Sequence, residues 1–320
     1  MTPTPDKVSR LSSRLDRTLR DAADFLEKAG ADSPRLTAEV LLAHACGLQR
    51  YELLKILILS PDSRLDRQSL RAARSFFARR ARGEPTAYIT GRKEFYGRDF
   101  KVGPEVLVPR PESELLVELA LSEARLPAKV GGKTRFFADF GTGSGCLAAT
   151  LSLELSENWK GLAMDDSEAA LRTAMDNFRA LGCAADRLLA LLGDFHAPPL
   201  PPCSLDLLVC NPPYVSEKEY AGLAREVRRF EPKHALVPGR GAEAAGDGAN
   251  EEAKGTEDAF AVIRQAEVLL RPGGTLLMET GQGQGKILAG AADRRKWAVI
   301  RVHKDGAGLD RALFGKLALC

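Results

Sequence analysis

Apolar side chains in the first part of the chain recur at helical intervals. They repeat every three or four residues in four stretches, at 14–29, 34–46, 51–59 and 66–82. This is the period of a helix with one buried face, so the four stretches predict a small helical bundle. Glycine follows the first two stretches at positions 30 and 47. Ser33 and Pro34 supply a cap and a first-turn proline for the second helix.

After residue 134 the pattern changes to short apolar runs that alternate with amphipathic stretches. The runs predict seven strands, at 136–140, 161–164, 188–192, 205–210, 275–279, 298–303 and 311–319. Helices are predicted between them at 146–155, 168–181 and 259–270. Such alternation predicts an α/β fold with a doubly wound, mainly parallel sheet, whose ligand binds beyond the carboxyl ends of the strands.

A segment of short alternating patterns connects these two parts. Phe100 and Val102, then Val106 and Val108, alternate with other residues, which favours a hairpin of two short strands. We therefore expect a helical domain at 1–87, a hairpin linker at 88–112 and an α/β domain at 113–320, which opens with a helix at 113–124.

Two further stretches lack any apolar period. Residues 129–133 predict a loop. Residues 239–257 are rich in Gly, Ala and Glu, which predicts a flexible surface insertion.

Composition narrows the class of protein. The 320 residues are 44% hydrophobic, which is ordinary for a soluble globular protein. No apolar run reaches the roughly 18 residues of a membrane span, and the first residues lack the apolar core of a secretory signal. The six cysteines show no Cys-x-x-Cys spacing, which argues against zinc and against a disulfide framework. We expect a cytoplasmic protein with no metal and no membrane association.

Positive charge is concentrated in the predicted helical domain. Residues 1–87 carry 16 basic and 11 acidic side chains, whereas residues 88–320 carry 30 basic and 32 acidic ones. An excess of this size fits an acidic or nucleic-acid-containing partner, and it fits a solvated helix face equally well.

A glycine-rich turn joins the first strand of the α/β part to the helix that follows it. Gly141-Thr-Gly-Ser-Gly145 lets the backbone approach a ligand closely, because glycine has no Cβ and accepts positive φ. Asp139 is a candidate for a ligand ammonium, and Asp165, which ends the next strand, for two ribose hydroxyls. Each aspartate has a turn-capping role as its alternative. Asp194 and Phe195 end the third strand, where they are candidates for an adenine amino group and ring.

A rigid polar turn follows the fourth strand of the α/β part. In Asn211-Pro-Pro-Tyr214 each proline fixes its φ angle at about −65° and lacks an N–H. The carbonyls of Asn211 and Pro212 are therefore held close to an amide side chain, which makes a set of acceptors suited to an NH2 group. The alternative is an ordinary turn at the end of a strand.

These motifs together resemble a class I, Rossmann-like S-adenosyl-L-methionine-dependent methyltransferase. More narrowly, the chain resembles the PrmC/HemK family of release factor glutamine methyltransferases. The resemblance covers nearly the whole chain and depends on segments that lie at 91–97, 106–114, 139–145, 211–214, 229–232 and 310–316. Asn-Pro-Pro-Tyr also occurs in adenine-N6 methyltransferases, so this motif indicates a planar amine or amide without choosing between them.

The resemblance implies methyl transfer to the side-chain nitrogen of the glutamine in the Gly-Gly-Gln motif of class-1 peptide chain release factors. It implies S-adenosyl-L-methionine as cofactor, a helical domain at 1–87 that holds the release factor, a monomer, and a substrate that is not nucleic acid. Asn211, Pro212 and Tyr214 are then catalytic, and with Pro213 they bind the substrate. The cofactor site comprises Asp139, Gly141, Thr142, Gly143, Ser144, Gly145, Asp165, Asp194, Phe195 and Asn211.

Three alternatives stay open. A ribosomal-protein glutamine methyltransferase resembles this chain but usually has Pro-Arg-Ser where this chain has Pro109-Arg-Pro111. An adenine-N6 RNA or DNA methyltransferase would use the basic helices to bind nucleic acid, with steeply salt-dependent affinity. A cofactor-binding regulator without activity is the third, and the complete set of acceptors disfavours it.

Overall fold

The structure is a computed structural model that describes residues 12–60, 62–125, 134–239 and 255–319. The chain divides into two compact units. One ends at Arg92 and includes Ala224–Phe230, and the other contains the remaining residues from Lys93 onward. The predicted loop at 129–133 and most of the predicted insertion at 239–257 lie outside the described residues. Within those residues no helix is long and apolar enough to cross a membrane.

The first unit is helical, as predicted. Its helices are α1 (Leu15–Lys28), α2 (Pro34–Ala45), α3 (Arg50–Leu59), α4 (Arg67–Ala81) and α5 (Thr86–Thr90). Residues spaced three or four apart on α1, such as Leu19, Ala22 and Leu26, are fully buried in one core with Leu41 and Phe77. The periodic pattern thus marks the real core. Helix α5 was not predicted, because five residues are too few to show a helical period.

A hairpin of strands β1 (Arg92–Phe95) and β2 (Arg98–Lys101) begins at Arg92, the boundary residue of the first unit, and otherwise belongs to the second. Tyr96 and Gly97 form its turn, both with positive φ. The prediction that Val106 and Val108 belong to a hairpin strand was wrong. Both valines are buried, but the backbone N–H of Val108 donates to Glu231 Oε2 at 3.0 Å and not to a neighbouring strand.

Seven strands form the sheet of the second unit in the order β5-β4-β3-β6-β7-β9-β8. All neighbours are parallel except β9, which runs antiparallel to β7 and β8. The strands are β3 (Arg135–Phe140), β4 (Trp159–Asp165), β5 (Leu188–Leu192), β6 (Leu205–Cys210), β7 (Leu270–Glu279), β8 (Trp297–Lys304) and β9 (Asp310–Leu317). This confirms the predicted α/β fold with a mainly parallel sheet of seven strands.

The later helices are α6 (Glu114–Ala124), α7 (Cys146–Glu154), α8 (Glu168–Ala180), α9 (Glu217–Gly222), α10 (Arg225–Phe230), α11 (Glu257–Leu269) and α12 (Gln284–Ala291). The sequence pattern predicted α6, α7, α8 and α11 but not the other three. Single 3-10 turns cover Pro111–Ser113 and Lys233–Ala235. Helices α9, α10 and α12 have eight or fewer residues, too short for a clear sequence period.

Strand β7 starts earlier than predicted. Its first residue is Leu270, because Pro272-Gly-Gly274 forms an irregularity inside the strand and not a turn before it. Leu205 pairs with Leu270, but Leu207 already pairs with Thr275, so extra residues of β7 bulge out. Proline and glycine are tolerated in strands at such bulges.

Hydrophobic cores cover both faces of the sheet. Successive residues of β6 belong to opposite cores: Leu207 and Val209 to one, Leu208 and Cys210 to the other. The register then fixes which strand ends meet. Phe140, the last residue of β3, pairs with Met164 on one side and Cys210 on the other. The residues that follow these strands therefore lie at one edge of the sheet.

Candidate active site

A cavity of about 350 Å³ lies at this edge of the sheet. Its volume suits a small-molecule ligand, for which pockets hold roughly 300–1,000 Å³. The predicted site residues that line it are Gly141, Thr142, Gly143, Ser144, Asp165, Asp194, Phe195, Asn211 and Pro213. Asp139, Gly145, Pro212 and Tyr214 are absent from this lining. The sheet thus brings together the ends of β3, β4, β5 and β6 around one cavity.

The glycine-rich loop between β3 and α7 uses its glycines in two ways. Gly141, Gly143 and Gly145 have φ of 67°, 54° and 78°, a region that side chains rarely adopt. A Cβ on Gly145 would lie 2.5 Å from Cε1 of Phe178, whereas Cβ atoms on Gly141 and Gly143 would meet nothing within 4 Å. Gly145 therefore permits α7 to pack against α8, and the other two leave bare backbone beside the cavity.

Alanine substitutions separate these two uses. Gly145→Ala is expected to reduce the free energy of unfolding by about 2–5 kcal/mol, the sum of the positive-φ cost and the overlap with Phe178. Gly143→Ala carries only the first cost, about 1–2 kcal/mol, but it adds a methyl group to a residue that lines the cavity. Urea unfolding of both variants, together with cofactor titration, checks this. A Gly143→Ala protein that binds the cofactor normally would contradict the assignment of that glycine.

Asp165 ends β4 and organises the loop from the other side of the cavity. Its Oδ2 accepts from the N–H of Gly143 at 2.8 Å and its Oδ1 accepts from the N–H of Ser167 at 2.9 Å. Burial nevertheless raises the pKa of this carboxyl. Each oxygen keeps a second lone pair, so the carboxylate can also accept from two ligand hydroxyls.

Asp139 lies beneath the loop and does not line the cavity. Its Oδ2 accepts from Thr142 Oγ1 at 2.7 Å and from the N–H of Ala148 at 3.2 Å. Oδ1 is buried with no partner among the described residues. Burial raises the pKa of Asp139 to about 7. The carboxyl thus ties the loop to the start of α7.

Asp194 belongs to a chain of polar groups at the far end of the cavity. Its Oδ1 contacts Nδ1 of His196 at 2.8 Å and accepts from the His196 N–H at the same distance. Nε2 of His196 lies 3.0 Å from Oδ1 of the buried Asp258. Phe195 stacks on the His196 ring with centroids 4.5 Å apart. This places an aromatic ring beside a carboxylate at the cavity wall.

Asn211 is held by groups that the sequence analysis did not single out. Its Nδ2 donates to Oγ of Ser113 at 3.2 Å, and Ser113 in turn donates to Oε2 of Glu279. Tyr214 donates to the other oxygen of Glu279 at 3.1 Å. Glu279 is 1% exposed, and burial raises its pKa.

An ion pair between Arg110 and Glu231 lies at the cavity wall. Arg110, which lines the cavity, lies 2.6 Å from Oε1 of the buried Glu231. The same carboxylate accepts from the Val108 N–H. Glu231 therefore holds the extended segment before the 3-10 turn against the cavity.

A signal for Glu279 was present in the sequence. It directly follows the apolar run of β7, just as Asp165 ends β4 and Asn211 follows β6. Applying the same rule to every strand would have selected it. Ser113 and Asp258, which line the cavity, and Glu231, which pairs with Arg110 at its wall, offer no comparable signal, because none of them ends a strand.

Comparisons with known proteins match both parts of the chain. A family model described as "PrmC N-terminal domain" matches residues 17–91, and one described as "Methyltransferase small domain" matches residues 113–231. A methyltransferase structure from Pyrococcus furiosus aligns with 76% of this chain and 99% of its own at 16% identity, with a TM-score of 0.47.

Curated relatives match over almost their full length. A release factor glutamine methyltransferase of Nitratidesulfovibrio vulgaris is 45% identical over 311 residues, which cover 97% of both chains. The proteins of the same name from Moorella thermoacetica and Cereibacter sphaeroides are 40% and 39% identical over 305 residues. These alignments cover 93% and 95% of this chain and 96% and 99% of the relatives.

Proposed function

This chain belongs to the family of release factor glutamine methyltransferases, which are S-adenosyl-L-methionine-dependent enzymes, and from this membership we propose its reaction in detail. The methyl group is transferred to the side-chain nitrogen, N5, of the glutamine in the Gly-Gly-Gln motif of class-1 peptide chain release factors. The bond between methyl and sulfur would break as the N–C bond forms, leaving S-adenosyl-L-homocysteine, and the nitrogen would then lose one of its two protons. The observation that carries the proposal is the placement of Asn211. Its amide lines the same cavity as the glycine loop, with Nδ2 engaged by Ser113.

The residues around the cavity fit the proposed cofactor. Bare glycine backbone at Gly141 and Gly143 would border the methionine part, the Asp165 carboxylate would accept from the ribose, and Asp194 with Phe195 would receive the adenine. These groups lie along one cavity in the order that their strands take in the sheet. Bound S-adenosyl-L-methionine would supply an electrophilic methyl group.

The protein's part in the reaction is to hold a poor nucleophile in place. An amide nitrogen is weakly nucleophilic because its lone pair is delocalised. Asn211 Oδ1 and the Pro212 carbonyl accept its two N–H bonds and so orient it toward the methyl group. Tyr214 packs beside the substrate, and its hydroxyl is directed away to Glu279. Positioning of this kind in a site from which water is excluded can supply most of the rate.

Each part of the chain has a separate role in the proposed reaction. Residues 1–87 hold the release factor, residues 88–112 link the domains and residues 113–320 carry out the transfer. The positive charge of the first segment supports binding to an acidic or RNA-associated partner.

Mass spectrometry tests the reaction directly. Release factor is incubated with the protein and S-adenosyl-L-methionine, then digested, and the Gly-Gly-Gln peptide is expected to gain one methyl group on glutamine. A release factor in which this glutamine is replaced by alanine serves as the control. Methylation of a ribosomal protein or of adenine in RNA, with the release factor unmodified, would overturn the proposal.

A further inference from the structure

We propose that Ser113 and Glu279 are positioning residues that fix which way the Asn211 amide faces, so that Oδ1 is presented to the substrate. This inference rests on the proposed function, since it concerns the group that would accept from the substrate glutamine. An asparagine amide has two nearly isosteric orientations, and only one of them offers an acceptor. The other would present Nδ2, a donor, to the N–H groups of the glutamine.

The sheet register places Asn211 and Glu279 side by side. Cys210 of β6 pairs with Met278 of the parallel neighbour β7. The next residues along the chain are Asn211 and Glu279, which therefore lie at the same level at the carboxyl ends of the two strands. Ser113, the last residue of the 3-10 turn before α6, lies between them and contacts both.

The direction of each hydrogen bond follows from the carboxylate. An ionised Glu279 can only accept, so the hydroxyls of Ser113 and Tyr214 both donate to it. The Ser113 oxygen then acts as an acceptor, and Nδ2 of Asn211 donates a hydrogen bond to it at 3.2 Å. The amide is thereby set with its nitrogen toward Ser113 and its oxygen available to a substrate.

Glu279 also holds the far end of the motif. Its Oε1 receives the Tyr214 hydroxyl at 3.1 Å. The Tyr214 carbonyl accepts from Nε2 of Gln284 at 2.8 Å, and Oε1 of Gln284 accepts from the Gly281 N–H at 3.0 Å. One carboxylate thus orients both polar side chains of Asn211-Pro-Pro-Tyr214, since the two prolines have none.

Burial of this carboxylate is a poor way to stabilise the fold. Glu279 and Ser113 are 1% and 3% exposed, and Arg311 and Glu112 are the other charged groups that act on the carboxyl. No ion pair of Glu279 exists among the described residues. A buried carboxylate held mainly by hydroxyls costs stability, which favours a role in the site.

Paired disruptive and conservative substitutions test the inference. Ser113→Ala and Glu279→Met each remove the constraint on the amide, and both are expected to lower kcat roughly 10- to 100-fold, the loss of one strong hydrogen bond. Ser113→Thr keeps a hydroxyl and Glu279→Gln keeps an acceptor oxygen, so both variants should retain most of the wild-type kcat. The Kd for S-adenosyl-L-methionine should change little in all four. Ser122→Ala, an exposed serine on α6, is the matched control.

A double-mutant cycle separates positioning from a merely structural role. Ser113→Ala added to Asn211→Ala is expected to leave the residual kcat unchanged, because there is no longer an amide to orient. Additive losses would overturn the inference. So would equal damage by the conservative variants, or full activity of Ser113→Ala and Glu279→Met.

The wild-type reaction distinguishes this failure from failure of the proposed function. If wild-type protein does not methylate the release factor glutamine, the proposed function fails and this inference fails with it. If wild-type protein methylates the glutamine and the disruptive variants match it in kcat, only the positioning role is overturned. Should Ser113→Ala not fold, Ser113→Cys and its Asn211→Ala double variant provide the same comparison, because a thiol is only a weak donor and acceptor.

Discussion

Replacement of Asn211 by alanine is expected to lower kcat by about 10²–10³-fold, the loss that removal of one preorganised polar group from an active site produces. The substrate amide would lose one of its two acceptors and with it the orientation of its nitrogen. Steady-state kinetics at saturating cofactor, with release factor as the substrate, measures the effect. The Kd for S-adenosyl-L-methionine, obtained by calorimetry, should stay within a few fold of wild type.

The same two measurements decide between the two roles assigned to Asn211. A loss of cofactor affinity with normal kcat would make it a cofactor ligand and would contradict its catalytic role. Asn158→Ala is a suitable control, because Asn158 is an exposed asparagine in the loop before β4. It should change neither quantity.

Strand-end residues of this site were predictable because sequence period and sheet topology constrain them together. A buried parallel strand reads as an apolar run, and the polar residue that ends it faces the ligand edge. Asp165, Asp194 and Asn211 all follow from this rule, and the structure lines one cavity with them. The rule needs no knowledge of side-chain partners.

Partners that come from distant segments were not predictable in this way. Ser113 lies 98 positions before Asn211 and 166 before Glu279, and nothing in its local sequence indicates either contact. The mistaken strand around Val106 has the same cause. An alternating pattern records burial, but the hydrogen-bond partner of Val108 is a side chain from residue 231.

Asp139 marks a different limit of sequence reasoning. Asp139 lies in β3, two residues before the first glycine of the loop. This position is compatible with a ligand contact and with a capping role. Only the coordinates show that the loop folds over it, with Thr142 and Ala148 as its partners. Asp139 is 1% exposed, and its neighbours in β3, Ala138 and Phe140, belong to a hydrophobic core, so this position lies inside the protein and not at the cavity.

Replacement of Asp165 by alanine is expected to weaken S-adenosyl-L-methionine binding at least about 10²-fold, since two hydrogen bonds to a carboxylate contribute roughly 1.5–3 kcal/mol each. The loop would also lose its tether, because the Gly143 N–H donates to this carboxylate. At saturating cofactor, kcat should remain near wild type, the reverse of the Asn211→Ala result. Calorimetry and initial rates over a cofactor series measure both quantities.

Two further variants assign the loss to the carboxylate itself. Asp165→Asn keeps the shape and one acceptor oxygen, so an intermediate affinity is expected. Glu168→Ala removes an exposed carboxylate three residues later, whose ion pair with Arg172 lies on the surface of α8, and it should bind the cofactor normally. Unchanged affinity in Asp165→Ala would mean that this aspartate only caps the loop through Gly143 and Ser167, and that the ribose is recognised elsewhere in the cavity.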